Sequence, residues 1–449
     1  MDIPHYIHKP RGYMHFDPQV SAQVAERIAT NPQRVANHPF YPFLGFSINT
    51  PKITRNSAGG IEKKEKKRPI KLAAHLDAAI YGYYGQILSN RYEQAVAARD
   101  VGDSVTAFRR IGGAGKNNIY FADEVFQFIQ SNRPCTAIGL DVEKFFDTLD
   151  HQTLKKSWAC MLGVTRLPSD HFNVFKSLTD FRWVDRDSAL NALGISRHNP
   201  TPKSARRRRL CNPQAFRNTI RANGLIWENP ESSSKRGIPQ GAPISALLSN
   251  IYMLNFDVVL AKEIESLGGL YRRYCDDIMI VVPTPNTASI EQSAMTEIQK
   301  LKLTINAAKT TRATFPSDPS HQAVGDEKIQ YLGFDFNGTQ TLIRASSLSR
   351  YYSKMRKGVS VARQTQRKHN KIRHRQGLPQ TDLKTRQLYI RYSYLVNRRF
   401  HRKTGKGERQ GENFITYAHR AAATMNAPEI KRQVRNHPKK LKEAIIHGK

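Results

Sequence analysis

Apolar and polar positions along the chain follow two rhythms, and the rhythm changes at glycine and proline. From Leu270 to Val282 the sequence reads LYRRYCDDIMIVV, with Gly268-Gly269 before it and Pro283 after it. Aromatic and β-branched residues on both sides of Cys275-Asp276-Asp277 predict two short strands joined by a tight turn. The run Thr136–Leu140 predicts an apolar strand that ends in Asp141 and leads into Phe145-Phe146. Helical spacing predicts helices over Pro18–Thr30, Ala74–Ala98, Ala122–Gln130 and Ala288–Leu301. Ile244, Leu247, Leu248, Ile251, Leu254 and Val258 give a buried stripe to a helix opening near Ser245. Tyr331–Phe336 predicts one short strand ending near Asn337-Gly338, and the chain beyond Ser346 reads as helical. Residues 1–60, rich in Pro, His, Asn and Gly, predict a loosely structured arm, and 165–235 predict a polar, irregular insertion.

Charge changes this picture most. With 71 Lys and Arg against 37 Asp and Glu the net charge is +34, beyond what solubility requires, and it implies a polyanionic partner such as nucleic acid. Residues 350–449 hold 27 of the basic residues and 5 of the acidic ones, so the charge is concentrated at that end. A length of 449 residues suggests two or three domains. Four widely spaced cysteines with no CxxC pair argue against a structural zinc site or a disulfide framework and fit a reducing compartment. No apolar run reaches the length of a membrane span, and Met1–His5 begins no signal-peptide core, so a cytoplasmic protein without membrane contact is expected.

Candidate chemistry starts at the paired acids. Asp276 and Asp277 repel each other, and an apolar run follows them directly. Such a pair on a rigid turn suggests a cation, most simply Mg²⁺, which takes a few carboxylates plus substrate phosphates; an ordinary polar hairpin turn is the other reading. Asp141 at a strand end suits a metal or a helix N-cap. The basic run Lys63–Arg68 suits a solvated loop or a phosphate contact, as does Arg206–Arg209. The Gly-rich basic turn Phe108–Asn117 lacks Walker A spacing. Gly237, Pro239 and Gly241, before the helix at Ser245, let backbone approach a ligand and present donors to anions.

In this order the blocks resemble those of reverse transcriptases across roughly residues 60–345. Lys67-Arg68-Pro69 with Asp77 is similar to the fingers block, and Asp141 with Phe145-Phe146 to the first catalytic block. Gly237–Gly241 through Ser245 and Asn250 resembles the nucleotide-supporting block, and Tyr274-Cys275-Asp276-Asp277 the YxDD box. Leu303, Asn306 and Lys309-Thr310 resemble the next block, and Tyr331-Leu332-Gly333 the primer-side block. The resemblance implies an α+β right-hand polymerase fold. Its domains would be an arm over 1–60, fingers and palm over 61–345 with the insertion at 165–235, and a basic helical thumb and RNA-binding extension over 346–449. It implies a nucleotidyltransferase in which Asp141, Asp276 and Asp277, with the Val142 carbonyl, hold two Mg²⁺ ions. Arg68, Phe146, Gln240 and Lys309 would meet the nucleotide, Phe146 as the gate against a 2′-hydroxyl. Lys368, Lys371, Arg373 and Arg375 are the expected nucleic-acid contacts.

The chain departs from the intron-encoded branch by having Leu76 and Ala78 beside Asp77, leaving Arg68, Lys71 and His75 as candidates for the triphosphate cation. It lacks an HNH-type cluster and the VTG triplet of retron enzymes. What remains resembles stand-alone bacterial enzymes of antiphage defence, which implies cDNA synthesis from dNTPs on a structured non-coding RNA. Two other classes stay open: a template-independent DNA polymerase of the abortive-infection type, and a group II intron-like maturase or RNA-binding protein without polymerase activity.

Overall fold

A computed structural model of residues 1–449 describes all of them except 1–3, 56–59, 110, 112–115, 198–207, 319–320, 326–327, 396–397, 401–406, 410–412 and 448–449. The strands in chain order are β1 (Phe43–Arg55), β2 (Ile61–Leu72), β3 (Cys135–Asp141), β4 (Arg182–Asp185), β5 (Ile226–Glu228), β6 (Leu270–Tyr274) and β7 (Asp277–Pro283). After them come β8 (Thr311–Phe315), β9 (Val324–Gly325), β10 (Ile329–Tyr331), β11 (Phe334–Phe336), β12 (Thr341–Ile343) and the short pair β13 (Arg398–Phe400) and β14 (Gly407–Arg409). The chain divides into two compact units, one of residues 1–109, 141–263 and 291–306, the other of 110–140, 264–290 and 307–449.

In the first unit a sheet runs in the order β2-β1-β4-β5, with β1 and β2 antiparallel along their length. The expectation of a loose arm over 1–60 is corrected here. β1 is the second strand of this sheet, and Tyr6, Phe16, Phe43 and Leu44 are all buried. The carboxylate of Asp17 accepts the backbone N–H groups of His75 and Leu76 at 2.9 and 3.0 Å, satisfying the exposed donors at the start of the helix His75–Ala97. A composition rich in turn-formers hid a segment whose few apolar residues are put to use. The basic run Lys63–Arg68 is likewise part of β2, so it is a strand and not a loop.

The insertion is corrected in the same way. Residues 165–235 form helices Ser169–Thr179 and Arg186–Ala192 and both strands β4 and β5. Val184, Leu190, Ile195, Leu210 and Ile220 pack with Phe16 and Leu44 into one core. Anchors scattered this thinly through the segment are too sparse to show a period. Of the arginine run, Arg206 and Arg207 lie outside the described residues.

The second unit contains a five-stranded sheet in the order β6-β7-β3-β8-β9. Ile278–Val282 of β7 are all buried, as its uninterrupted apolar run requires in a strand with neighbours on both sides. Gly139 of β3 is a close approach: a Cβ there would stand 2.7 Å from Thr311 Oγ1. The helix Asn118–Ser131 starts with the Asn117 side chain accepting from the Ile119 N–H at 2.9 Å, and it buries Ile119, Ala122, Val125, Phe126 and Ile129. Phe126 stacks on Phe336 of β11 at 4.8 Å. The single strand expected over Tyr331–Phe336 is instead a hairpin, because Leu332 and Gly333 take φ of +46° and +95° and turn β10 back as β11. Beyond residue 344 the chain is chiefly helical: Ala345–Arg375, Arg386–Tyr392, Phe414–Thr424, Pro428–Val434 and His437–His447. Among the described residues no helix is long and apolar enough to cross a membrane.

Candidate active site

Tyr274 pairs with Asp277 across the β6–β7 hairpin, so the turn consists of Cys275 and Asp276 alone. Cys275 has φ +62°, the left-handed value that a two-residue hairpin turn asks of its first residue and that glycine adopts most easily. Holding a cysteine there costs about 1–2 kcal/mol, and the surroundings offset it. Arg273, 0% exposed, donates from its guanidinium to the Cys275 carbonyl at 3.0 Å. The Cys275 thiol is pushed well up, first by burial, then by the charge of Asp276 and a hydrogen bond to its carboxylate. The thiol therefore stays protonated and donates to the Asp276 carboxylate. Burial also raises the Tyr274 hydroxyl, with Cys275 and Asp277 adding to the effect. Sequence reading noticed the acids but not Arg273. The available signal was Arg273 two residues after Tyr271, which period-two alternation puts on the same face of the expected strand.

Within the five-stranded sheet β3 is the neighbour of β7. Just after Asp141, the chain is held by a short antiparallel bridge between Val142 and Ile305. Its bonds run from the Asn306 N–H to the Asp141 carbonyl (2.8 Å) and from the Glu143 N–H to the Thr304 carbonyl (2.9 Å). The Val142 carbonyl is used in neither. Lys144 then turns the chain at φ +45° into the short helix Phe145–Thr148. Phe145 is buried and Phe146 half-buried, so Phe146 is the aromatic presented outward.

Three segments of the first unit are zipped together around Phe146. The Phe146 carbonyl accepts from the Ile238 N–H and the Leu149 carbonyl from the Gly237 N–H, both at 2.9 Å. Gly237, at φ +84°, passes so close that a Cβ would be 2.9 Å from the Asp147 carbonyl oxygen. The Gln240 carbonyl accepts the Lys71 N–H of β2 at 2.9 Å, and Gly241, at φ +114°, leaves no room for a Cβ beside the Lys71 carbonyl. Ser245 Oγ donates to the Pro239 carbonyl at 2.7 Å at the start of the helix Ser245–Ser266. Phe146, Gln240 and Lys71 are thus gathered in one place.

The three cation candidates separate clearly. Arg68 is exposed on β2. His75 is buried, stacked on Tyr13 at 5.5 Å, and burial lowers its pKa. Lys71 is buried with its ammonium 2.9 Å from the centre of the Trp183 ring; burial lowers it to about 8, against the raising pull of Asp185 and Asp147. Trp183 had no sequence signal because it comes from the insertion. Asp77 is fully buried and takes the Tyr41 N–H at 2.9 Å and His38 Nε2 at 2.6 Å, which makes it a structural anchor; burial raises its pKa despite these bonds.

Lys309 is exposed in the turn Ala307–Lys309. Lys368, Lys371 and Arg375 are exposed along the end of the helix Ala345–Arg375, whereas Arg373 donates to the Pro379 carbonyl at 2.7 Å and closes the turn after that helix. Half of the Gly-rich turn Phe108–Asn117, residues 110 and 112–115, lies outside the described residues. Among the described residues no group of three or more His, Cys, Asp and Glu side chains is arranged to hold a metal.

Residues 201–336 match the reverse transcriptase (RNA-dependent DNA polymerase) family. No curated protein matches the sequence. Solved structures similar to this chain include apo telomerase from Candida tropicalis truncated of its C-terminal domain, at 12% identity and TM-score 0.39 over 72% of this chain. Apo telomerase from Candida tropicalis follows at 14% identity and TM-score 0.37 over 73% of this chain. Telomerase from Candida albicans in complex with a fragment of telomeric RNA matches at 12% identity and TM-score 0.38 over 75% of this chain. The chain spans 60%, 54% and 53% of those three proteins. The matched segment covers the Gln240 loop, the acidic hairpin and the strands up to Phe336, so this part of the chain is similar to a reverse transcriptase (RNA-dependent DNA polymerase) domain, and the mixed helices and antiparallel sheets fit a right-hand polymerase fold.

Proposed function

We propose that the chain synthesises cDNA from dNTPs on a structured partner RNA, in the manner of the antiphage-defence enzymes it resembles, with Asp141, Asp276 and Asp277 as its catalytic acids. The observation that carries the reading is the paired acids at a strained turn, buttressed from beneath by Arg273 and Cys275. A turn of no consequence has no reason to keep a left-handed cysteine over a buried arginine.

The donor set fits Mg²⁺, which binds through one or two carboxylates and completes its shell with water and substrate phosphates, so no ready-made cluster of three acids is needed. Asp141, Asp276 and Asp277, with the Val142 carbonyl, would hold the two ions. Bound there, they would supply charge neutralisation and an acidified primer hydroxyl. The chain's own part is positioning, which is most of what phosphoryl transfer asks of a protein. Phe146 would close the sugar side of the nucleotide against a 2′-hydroxyl. Gln240, fixed through its carbonyl to β2, would support the base. Arg68 and Lys309, both exposed, would face phosphates.

The test uses homopolymer RNA templates with a complementary DNA primer. Incorporation restricted to the complementary dNTP supports templated synthesis. Equal incorporation of all four, unaffected by removing the RNA, would favour the template-independent alternative. No incorporation by a protein that still binds RNA would favour the maturase-like one.

A further inference from the structure

We propose that a groove of about 560 Å³ in the second unit takes one unpaired nucleotide of the RNA, whatever its base. The groove lies among the helices Ala345–Arg375, Arg386–Tyr392 and Phe414–Thr424, beyond the segment that matches the polymerase family. That the polyanion is RNA rests on the function proposed above; the groove itself rests on other observations.

Its volume is in the range of sites that enclose a small organic group, about 300–1,000 Å³. Lys354, Lys357 and Arg391 line it, all three exposed, and among the described residues no acidic side chain does. Three cations on one concavity without an acid among them fit phosphodiester oxygens. The walls are apolar: Tyr351, Tyr392, Phe414 and Val361. Tyr351 and Phe414 stack at 4.6 Å, and Val361 is 52% exposed. An apolar wall under a cationic rim suits a base inserted below its own phosphate. Gly358 shapes the wall, since a Cβ there would collide with the Tyr392 hydroxyl.

Indifference to the base follows from the hydrogen bonds. Asn413 is the one amide lining the groove among the described residues, and its capacity is spent. Its oxygen accepts the N–H groups of Ile415 and Thr416 at 3.0 Å each, and its nitrogen donates to the carbonyls of Ile390 and Ser393. The Tyr351 hydroxyl donates to the Tyr392 carbonyl at 2.7 Å. Asn413 and the Tyr351 hydroxyl are committed elsewhere and do not read a base edge, which leaves stacking and charge, both alike for all bases, as the main terms beside the Tyr392 hydroxyl.

The experiment measures binding of the full chain to short single-stranded RNAs, oligo(A), oligo(U) and oligo(C), over a range of salt. Lys354→Glu with Lys357→Glu should weaken all three by about tenfold or more and lower the salt slope by about 1.4, from roughly 0.7 for each phosphate that a cation neutralises. Lys354→Arg with Lys357→Arg should keep both. A strand of equal charge with abasic positions should bind the wild type less tightly, and Val361→Ser should narrow that gap. Unchanged affinity and slope in the charge-reversed protein overturns the site. A loss confined to one base overturns the indifference, and equal binding of the abasic strand overturns the base seat. Displacement of RNA one-for-one by an acidic polypeptide of the same charge overturns the nucleic-acid assignment. Primer extension enters none of these readouts, so a chain that fails to polymerise would sink the polymerase reading and leave the groove result standing.

Discussion

The acidic turn and the basic helix of the second unit carry charge in opposite ways. At Cys275–Asp277 the charged groups rest on a buried frame: a fully buried arginine below, a protonated thiol alongside, and a sheet behind. Along Ala345–Arg375 the buried face is only Tyr351, Met355 and Val359, and Lys354, Lys357, Lys368 and Lys371 stand in solvent. A fixed frame suits chemistry, where ångströms decide; exposed cations suit attraction, where number decides. Changes at the turn should act as all-or-none and ignore salt. Changes along the helix should be graded and fade as salt rises.

The largest expected effect tests the frame. Arg273→Met keeps much of the side chain's volume but leaves the Cys275 carbonyl and the strained turn without their donor, and should cost about 3 kcal/mol of stability. Urea denaturation measures it, with Lys368→Gln as the exposed counterpart, expected within about 0.5 kcal/mol. Equal small effects at both positions would erase the contrast.

Next in size is the sugar gate. Phe146→Ala should raise ribonucleotide use relative to deoxyribonucleotide use by roughly 10–200-fold, the scale of discrimination in an apolar pocket. Steady-state incorporation of both sugars measures the ratio. An unchanged ratio would place the gate elsewhere, although buried Phe145 is a poor substitute.

Lys71 gives a smaller, pH-dependent effect that sets a buried cation against the exposed ones. Burial lowers it from 10.5 to about 8, so the folded chain loses this proton first as pH rises. Between those values the unfolded chain holds more protons, and stability from this residue rises with pH. Wild type should therefore gain on Lys71→Met across that window in parallel denaturation curves; a constant difference at every pH would contradict the lowered pKa.

The smallest effect belongs to the helix end. Neutralising Lys368, Lys371, Arg373 and Arg375 should weaken RNA binding and lower the salt slope by about 0.7–0.9 for each phosphate left without its cation. Arg373 should add a slight loss of stability through its bond to the Pro379 carbonyl. An unchanged slope would remove this cluster from the RNA surface.

What could be read from the sequence divides along the same physical line. The hairpin at 270–283, the strand into Asp141 and the helix at 287–300 were legible because each has a local period, an apolar run or a turn signal. The arm and the insertion were not. Phe16, Leu44, Val184 and Leu210 form one core from positions far apart in sequence, and no window holds enough of them to show a rhythm. The same holds at the candidate site. Asp141, Asp276, Asp277, Phe146 and Gln240 belong to recognisable blocks, whereas Trp183 over Lys71 and Arg273 under the turn take up their roles only once the chain folds. Asp77 shows the converse, a recognisable acid whose bonds to His38 and Tyr41 give it a structural task.

The most direct test of the account is primer extension by Asp276→Ala with Asp277→Ala, on a short preformed RNA template and DNA primer with Mg²⁺. The account predicts that wild type extends the primer with the complementary dNTP and stops when the metal is chelated. The double variant should fold, bind the RNA at least as tightly because two charges that repel phosphate are gone, and extend nothing. Extension by the folded double variant would contradict the assignment of catalysis to this turn.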